Sequence, residues 1–217
     1  MPADLVLVPT AMERALLQPH VDALPGPRPR VELCGFGVAA AAARTAALLA
    51  RTAPRRVILV GIAGRYDGGP AVGEAAVFPR VACHGIGAGS GAAFVAAGAM
   101  GWPQWPGDPP DAAGAVGDTI DLGAGAGQAD ALLLTVTAAA ASAADVEDRR
   151  RRFPAAVAED MEGFAVALAC RLAGVPCRIV RGISNTAGDR DAARWTVRGA
   201  LDSAAVLVAA LLAGDRP

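Results

Sequence analysis

Lysine is absent from this 217-residue chain, so every one of its 20 basic residues is an arginine. That removes two chemistries at once, the lysine of a phosphate-binding P-loop and the amine of a Schiff base. Aromatic residues are scarce at 4%, and the arginines are scattered apart from Arg149 to Arg152, which follow Asp145, Glu147 and Asp148 as a solvated mixed-charge helix would. Nucleic-acid binding needs a coherent basic face interleaved with stacking rings, and a formal net charge of -1 offers neither. Paired cysteines are missing too: Cys34, Cys83, Cys170 and Cys177 stand far apart, without zinc-type spacing and without a secretory signal ahead of them, which predicts reduced, buried thiols. The two histidines, His20 and His84, are isolated, so no metal site is expected; His84 keeps a minor claim as a substrate contact. Apolar stretches are broken by Arg, Gly or Pro before they reach about twenty residues, the length of a membrane span. A cytoplasmic protein with no membrane partner is the expectation.

What is present is a composition of 53% hydrophobic and 19% charged residues, that of one ordinary globular domain over residues 1–217. Leu5 to Val8 reads as a short buried strand running through Pro9-Thr10 into Ala11-Met12-Glu13-Arg14. Val31 to Cys34 is a second strand, followed by Gly35-Phe36-Gly37 and an alanine helix from Val38 to Arg51. Arg56 to Val60 is a third, ending at a Gly61-Ile62-Ala63-Gly64 turn where small residues let a ligand approach the backbone. A further strand is predicted from Ala75 to Val81, then a long irregular region from Gly85 to Gly127 with an extended stretch near Thr119 to Leu122. Order returns with a strand at Ala131 to Thr137, a charged helix at Asp145 to Arg152, and a helix from Gly163 to Ala173 opened by Asp160-Met161-Glu162. A strand from Cys177 to Ile183 and a last helix from Ala192 to Leu212 complete the chain. Alternating strands and helices predict an α/β sandwich around a mixed sheet, with ligands outside the carboxyl ends of the strands.

Several motifs are open to a functional and a plain reading. Gly35-Phe36-Gly37-Val38-Ala39-Ala40 has the form of a dinucleotide fingerprint, but the acidic residue due about twenty positions later is replaced by Arg55, Arg56 and apolar residues, so a tight turn before a helix is preferred. Gly85 to Gly91 fits an anion nest, a lid or a simple loop. Ser90 is not in a nucleophile elbow, because Ala88 occupies the first glycine position. Glu13 and Glu162 both stand at predicted helix starts, where capping alone accounts for a carboxylate. Glu162 stands out for its company: Met161 offers an adaptable apolar surface, and Ser184-Asn185 follows the next strand, where strand gives way to loop. A charged carboxylate there can accept two hydrogen bonds from a diol, and an Asn presents a donor and an acceptor to a purine edge.

Asp160-Met161-Glu162-Gly163 together with Arg181-Gly182-Ile183-Ser184-Asn185 resembles the nucleoside phosphorylase and nucleosidase superfamily. Thr10-Ala11-Met12-Glu13, Gly35 to Ala41, Gly61 to Gly64 and Val72-Gly73-Glu74 follow in that family's order. The tail Ser184 to Asp191, followed by Trp195, is most similar to the futalosine hydrolase branch. The resemblance implies a nucleoside phosphorylase-like three-layer α/β/α sandwich and a cofactor-free, metal-free enzyme that is a homodimer or higher homo-oligomer, with the Ala-rich helices and the Trp102 to Trp105 segment as contact surfaces. It implies a small-molecule nucleoside substrate, with futalosine hydrolysed to hypoxanthine and dehypoxanthine futalosine in menaquinone biosynthesis. It further implies that Glu162 binds the ribose hydroxyls, Met161 packs on the sugar, and Ile62, Ala63, Gly64 and Ser184 line the substrate. Asn185 stands at the purine-recognition position, where a carboxamide can donate to a 6-oxopurine and a carboxylate could not. The water-activating glutamate expected after Thr10-Ala11-Met12 falls on Ala15, so either Glu13 supplies the base or other groups orient the water. A purine nucleoside phosphorylase, with Arg65 on the phosphate, and a non-catalytic nucleoside-binding protein remain the alternatives.

Overall fold

The computed structural model describes residues 3–26, 28–108, 114–123 and 131–214. Eleven strands and five helices follow in the order β1 (Leu5–Val8), α1 (Ala11–Asp22), β2 (Arg30–Leu33), α2 (Gly37–Thr52), β3 (Val57–Arg65), β4 (Ala75–Phe78), β5 (Arg80–His84), β6 (Gly87–Ala88), β7 (Val95–Ala96), β8 (Thr119–Asp121), β9 (Leu132–Val136), α3 (Ala143–Arg152), β10 (Ala156–Asp160), α4 (Gly163–Leu172), β11 (Cys177–Thr186) and α5 (Val197–Gly214). Nine strands form one mixed sheet, with β6 and β7 as a separate hairpin. β1 pairs in parallel with β2 and β3, β3 with β11, and β9 with β5 and β10; β4, β8 and the β3–β10 pair are antiparallel.

Side chains alternate across the sheet and divide the core. Leu5, Leu7, Val57 and Leu59 face one side with Ala41 and Leu48 of α2 and Val166 of α4. Val6, Val8, Ile58 and Val60 face the other with Leu17 of α1 and Ala204 and Val208 of α5. The three-layer α/β/α sandwich expected from the sequence is therefore present, its central strands apolar on both faces as parallel strands covered on both sides must be. α5 has 18 residues and a mean hydropathy of 1.6, enough by length and composition to cross a membrane, yet Ala200, Leu201, Ala204, Ala205, Val208 and Leu212 are buried against the sheet and α1. All four cysteines are buried free thiols; burial pushes that of Cys34 up to about 12.

Local boundaries differ from the sequence reading where tertiary contacts overrule pattern. The strand expected over Ala75 to Val81 is two, β4 and β5, joined at Pro79. Gly61 to Gly64 is not a turn but the carboxyl half of β3, and Ser184-Asn185 lies within β11, past a register shift between Ile183 and Asn185. Asp160 does not open a helix; it ends β10, a strand the sequence reading did not anticipate. The last helix begins at Val197, after a separate short turn at Ala192–Arg194. Within Gly85 to Gly127 the described residues form the β6–β7 hairpin and β8, while 109–113 and 124–127 lie outside the described residues.

Candidate active site

A cavity of about 320 Å³ opens where β1, β3, β9, β10 and β11 end. All eight residues singled out above line it: Glu13, Ile62, Ala63, Gly64, Met161, Glu162, Ser184 and Asn185. Strand ends at a sheet's carboxyl edge bring distant segments together, which is how residues 13, 62, 162 and 185 come to share one space.

The carboxylate of Glu162 does not cap its own helix. The first free amides of α4 are taken by other groups: Gly163 N donates to Asp160 Oδ2 at 2.8 Å and Phe164 N to Thr135 Oγ1 at 2.7 Å. Glu162 instead accepts from Gly37 N at 3.0 Å through Oε1 and from Arg181 Nη2 at 3.2 Å through Oε2. The Gly35-Phe36-Gly37 turn thus aims a backbone amide at a carboxylate, with Gly37 at φ 80, a conformation glycine adopts freely. An ionised carboxylate offers about four acceptor positions, so roughly two remain for the hydroxyls of a diol.

Arg181 is fully buried and holds Asp160 through Nε at 2.9 Å and Nη2 at 2.5 Å as well as Glu162. Its Nη1 has no partner among the described residues. A Cβ added at Gly61 would collide with that Nη1 and lie 2.8 Å from Glu13 Oε1, so both atoms flank one point and need a glycine in β3 to reach it. Glu13 Oε2 accepts from Thr10 N at 3.0 Å and Thr10 Oγ1 at 2.6 Å, closing a capping box on α1, while Oε1 accepts from Ile62 N at 3.0 Å. One acceptor position is left on Oε1, on the side of Arg181. The glutamate is therefore cap and cavity wall together.

Three buried carboxylates surround one guanidinium, and the balance falls on Glu162. Desolvation pushes its pKa up to about 7, the charges of Asp160 and Glu13 add to the rise, and Arg181 and the Gly37 amide oppose it. The sign is definite. Protonated Glu162 loses acceptor capacity for a diol, so kcat/KM for a nucleoside is expected to rise with pH through about 7. Folding stability moves oppositely, because the folded state holds this proton above the ordinary value of 4.5, and so declines as pH rises from there through about 7. A pH–rate profile with no acid limb between pH 5 and 8 would remove Glu162 from substrate binding.

Asn185, the chain's single asparagine, is buried and already engaged. Its Oδ1 accepts from Ser184 Oγ at 2.8 Å; its Nδ2 donates to Thr186 O at 2.9 Å and, more weakly, to Asp189 O at 3.4 Å. The free donor expected from the sequence is therefore committed to the backbone, and the long bond to Asp189 is the one a ligand carbonyl can replace. A carboxylate here would face two carbonyl oxygens with lone pairs alone.

Sequence reasoning missed several neighbours. Asp160 and Arg181 anchor the floor, and Met12, Phe36, Arg190 and Trp195 also line the cavity. Glu159, one position before Asp160 on the opposite face of β10, accepts from Tyr66 Oη at 2.6 Å, from Arg149 and from Ala140 N at 2.7 Å, fixing the Ala139-Ala140 wall. Asp160, Arg181, Met12, Phe36, Arg190 and Trp195 all stood in or beside the motifs quoted above, but no sequence rule assigned them a place in the cavity. His84 is not in the cavity; its ring packs edge-on to Phe94 at 4.8 Å. The Gly85 to Gly91 segment does not line it, and Arg65 lines a second cavity with Arg150 and Arg151. Among the described residues no group of three or more His, Cys, Asp or Glu side chains is arranged to hold a metal ion.

Residues 20–213 match the Phosphorylase superfamily. The chain is 34% identical over 187 residues to a futalosine hydrolase of Thermus thermophilus, covering 83% of this chain and 80% of that one. A futalosine hydrolase of Acidothermus cellulolyticus is 50% identical over a shorter stretch of 58 residues, 27% of this chain and 24% of that one. Among solved structures, the 5'-methylthioadenosine/S-adenosylhomocysteine nucleosidase of Neisseria meningitidis in complex with methylthio-immucillin-A superposes with a TM-score of 0.74 at 21% identity, over 99% of this chain and 100% of that chain. The corresponding nucleosidase of Colwellia psychrerythraea, in complex with adenine, gives 0.73 at 21% identity, over 98% and 95%. At that identity the likeness establishes the fold.

Proposed function

The chain belongs to the Phosphorylase superfamily, as a nucleosidase similar in sequence to futalosine hydrolases, and from that premise we propose that it hydrolyses futalosine to hypoxanthine and dehypoxanthine futalosine, a step of menaquinone biosynthesis. The observation that carries this reading is that Glu162, whose carboxylate does not cap its own helix α4, and Asn185 line the same cavity.

In this reading the ribose hydroxyls donate to Glu162 while Met161 packs on the sugar. A water between Glu13 Oε1 and the unpartnered Arg181 Nη1 attacks the anomeric carbon. The bond from that carbon to the purine nitrogen breaks with its electron pair leaving on the base, and the sugar passes through an oxocarbenium-like state. The cation forms beside the buried carboxylates, Glu13 takes the water proton, and the departing purine nitrogen takes a proton from solvent, to which Glu13 later returns its own. Asn185 Nδ2 exchanges its long bond to Asp189 O for the 6-oxo group, where electron density accumulates.

A 6-aminopurine would present a donor to that Nδ2, and a mismatched buried polar pair costs about 1–3 kcal/mol, roughly tenfold to a hundredfold in selectivity. Asn185→Asp is therefore expected to move the kcat/KM ratio of futalosine to aminodeoxyfutalosine toward the amino substrate by about that factor. An unchanged ratio, with both substrates cleaved, would show that Asn185 does not read the base.

A further inference from the structure

The cavity has a charged floor and an apolar mouth. Met12 and Phe36, 50% and 65% exposed, line it, and so does Trp195. Trp195 is fixed in place, since its Nε1 donates to Asp189 O at 3.3 Å, the same carbonyl that receives Asn185 Nδ2. Over its ring sits Arg190, with the guanidinium carbon 5.2 Å from the centroid.

Arg190 has no carboxylate of its own among the described residues, although two acids flank it in sequence. Arg194 takes both: Asp189 at 2.6 Å and Asp191 at 3.2 Å. The hold on Asp189 is strong enough to lower its pKa to about 2, the Arg194 hydrogen bond being the largest cause. Among the described residues Arg190 is the one basic residue lining the cavity, whose charged lining is otherwise Glu13, Glu159, Asp160 and Glu162. Arg181 cannot serve an incoming anion, because it is buried under Asp160 and Glu162, and Arg65 opens on the other cavity.

We propose that Arg190, held on the Trp195 ring, is the carboxylate-binding residue for an aromatic acid carried on the 5′ side of the nucleoside, and so determines specificity for acid-tailed substrates. This rests on the futalosine reading, because that nucleoside ends in a benzoate beyond its 5′ carbon. A guanidinium presents paired donors in the plane that a carboxylate accepts, and Trp195, Phe36 and Met12 supply apolar surface for the ring that bears it. Asp189 O accepts from Trp195 Nε1 and, until the base takes that donor, from Asn185 Nδ2, so tail and base recognition lie on one short segment.

The experiment compares wild type, Arg190→Gln and Arg190→Lys on three nucleosides: futalosine, its neutral methyl ester and inosine. Arg190 is exposed and outside the catalytic floor, so the variants are expected to fold. For futalosine, KM should rise about tenfold to a hundredfold in Arg190→Gln, the range for a lost charge-assisted hydrogen bond, with kcat within about twofold. Arg190→Lys should recover part of the loss, and the ester and inosine should respond to neither change. Equal losses on acid and ester, or no loss on the acid, would overturn the subsite while leaving futalosine hydrolysis standing. A wild-type protein that cleaves inosine but not futalosine, or neither, would overturn both.

Discussion

Glu13→Gln is expected to lower kcat by about 10²- to 10⁴-fold with little change in KM, the signature of a base acting in the transition state. The expectation follows from where its last acceptor position points. Oε2 is saturated by Thr10 and Oε1 is half used by Ile62 N, leaving one lone pair beside the orphaned Nη1 of Arg181. An amide has a single acceptor oxygen, so the variant must also leave Thr10 N or Ile62 N without its partner, at a cost of about 1–3 kcal/mol in stability. Thermal melts separate that structural loss from the catalytic one. A second signature is specific to the cluster: the charge of Glu13 helps raise Glu162, so its removal should move the acid limb of the residual pH profile downward. A variant with near-wild-type kcat would make Glu13 a cap and nothing more.

Arg181→Met should be the most damaging single change to the fold around the site. The guanidinium has no exposure and is the shared partner of Asp160 and Glu162, with Glu13 acting on it at longer range. Breaking a buried pair by removing one partner typically costs about 3–5 kcal/mol, because the remaining charge is left unpaired in a low-dielectric interior. Here more than one carboxylate is left, and Asp160 also anchors the start of α4 through Gly163 N. Urea denaturation at pH 8 is expected to show a loss of that order, together with loss of turnover. The deficit should shrink toward pH 5, since carboxyls whose folded-state pKa is raised favour the folded protein as they take up protons. Equal stability of variant and wild type at pH 8 would mean that Arg181 does not hold the cluster together.

Much of the architecture was legible because it rests on local pattern. β1, α2 and the core of β3 are short apolar runs bounded by Gly, Pro or Arg, and each appears within a few residues of its expected place. β10 was not legible. Ala156 to Asp160 combines alanines with two acids and reads as a helix lead-in; it is a strand because Glu159 finds Tyr66 and Arg149 while Asp160 finds Thr135 and Arg181. Gly61 to Gly64 looked like a turn for a similar reason, Gly61 being there to admit Arg181 and Glu13, and Gly64 to sit against Ala187, rather than to bend the chain. The site's members were readable as residue types in motifs. Their division of labour was not, because whether Asp160 or Glu162 caps α4, and where Asn185 sends its donors, depends on backbone groups brought in by folding.

The most direct trial of the nucleosidase reading is release of free base from futalosine by the purified wild-type protein, followed with and without inorganic phosphate, with methylthioadenosine alongside. Hypoxanthine should appear at a rate that phosphate does not change, and faster than adenine appears from methylthioadenosine. Release that requires phosphate, a preference for methylthioadenosine, or tight binding without release would each rule out futalosine hydrolysis by this chain.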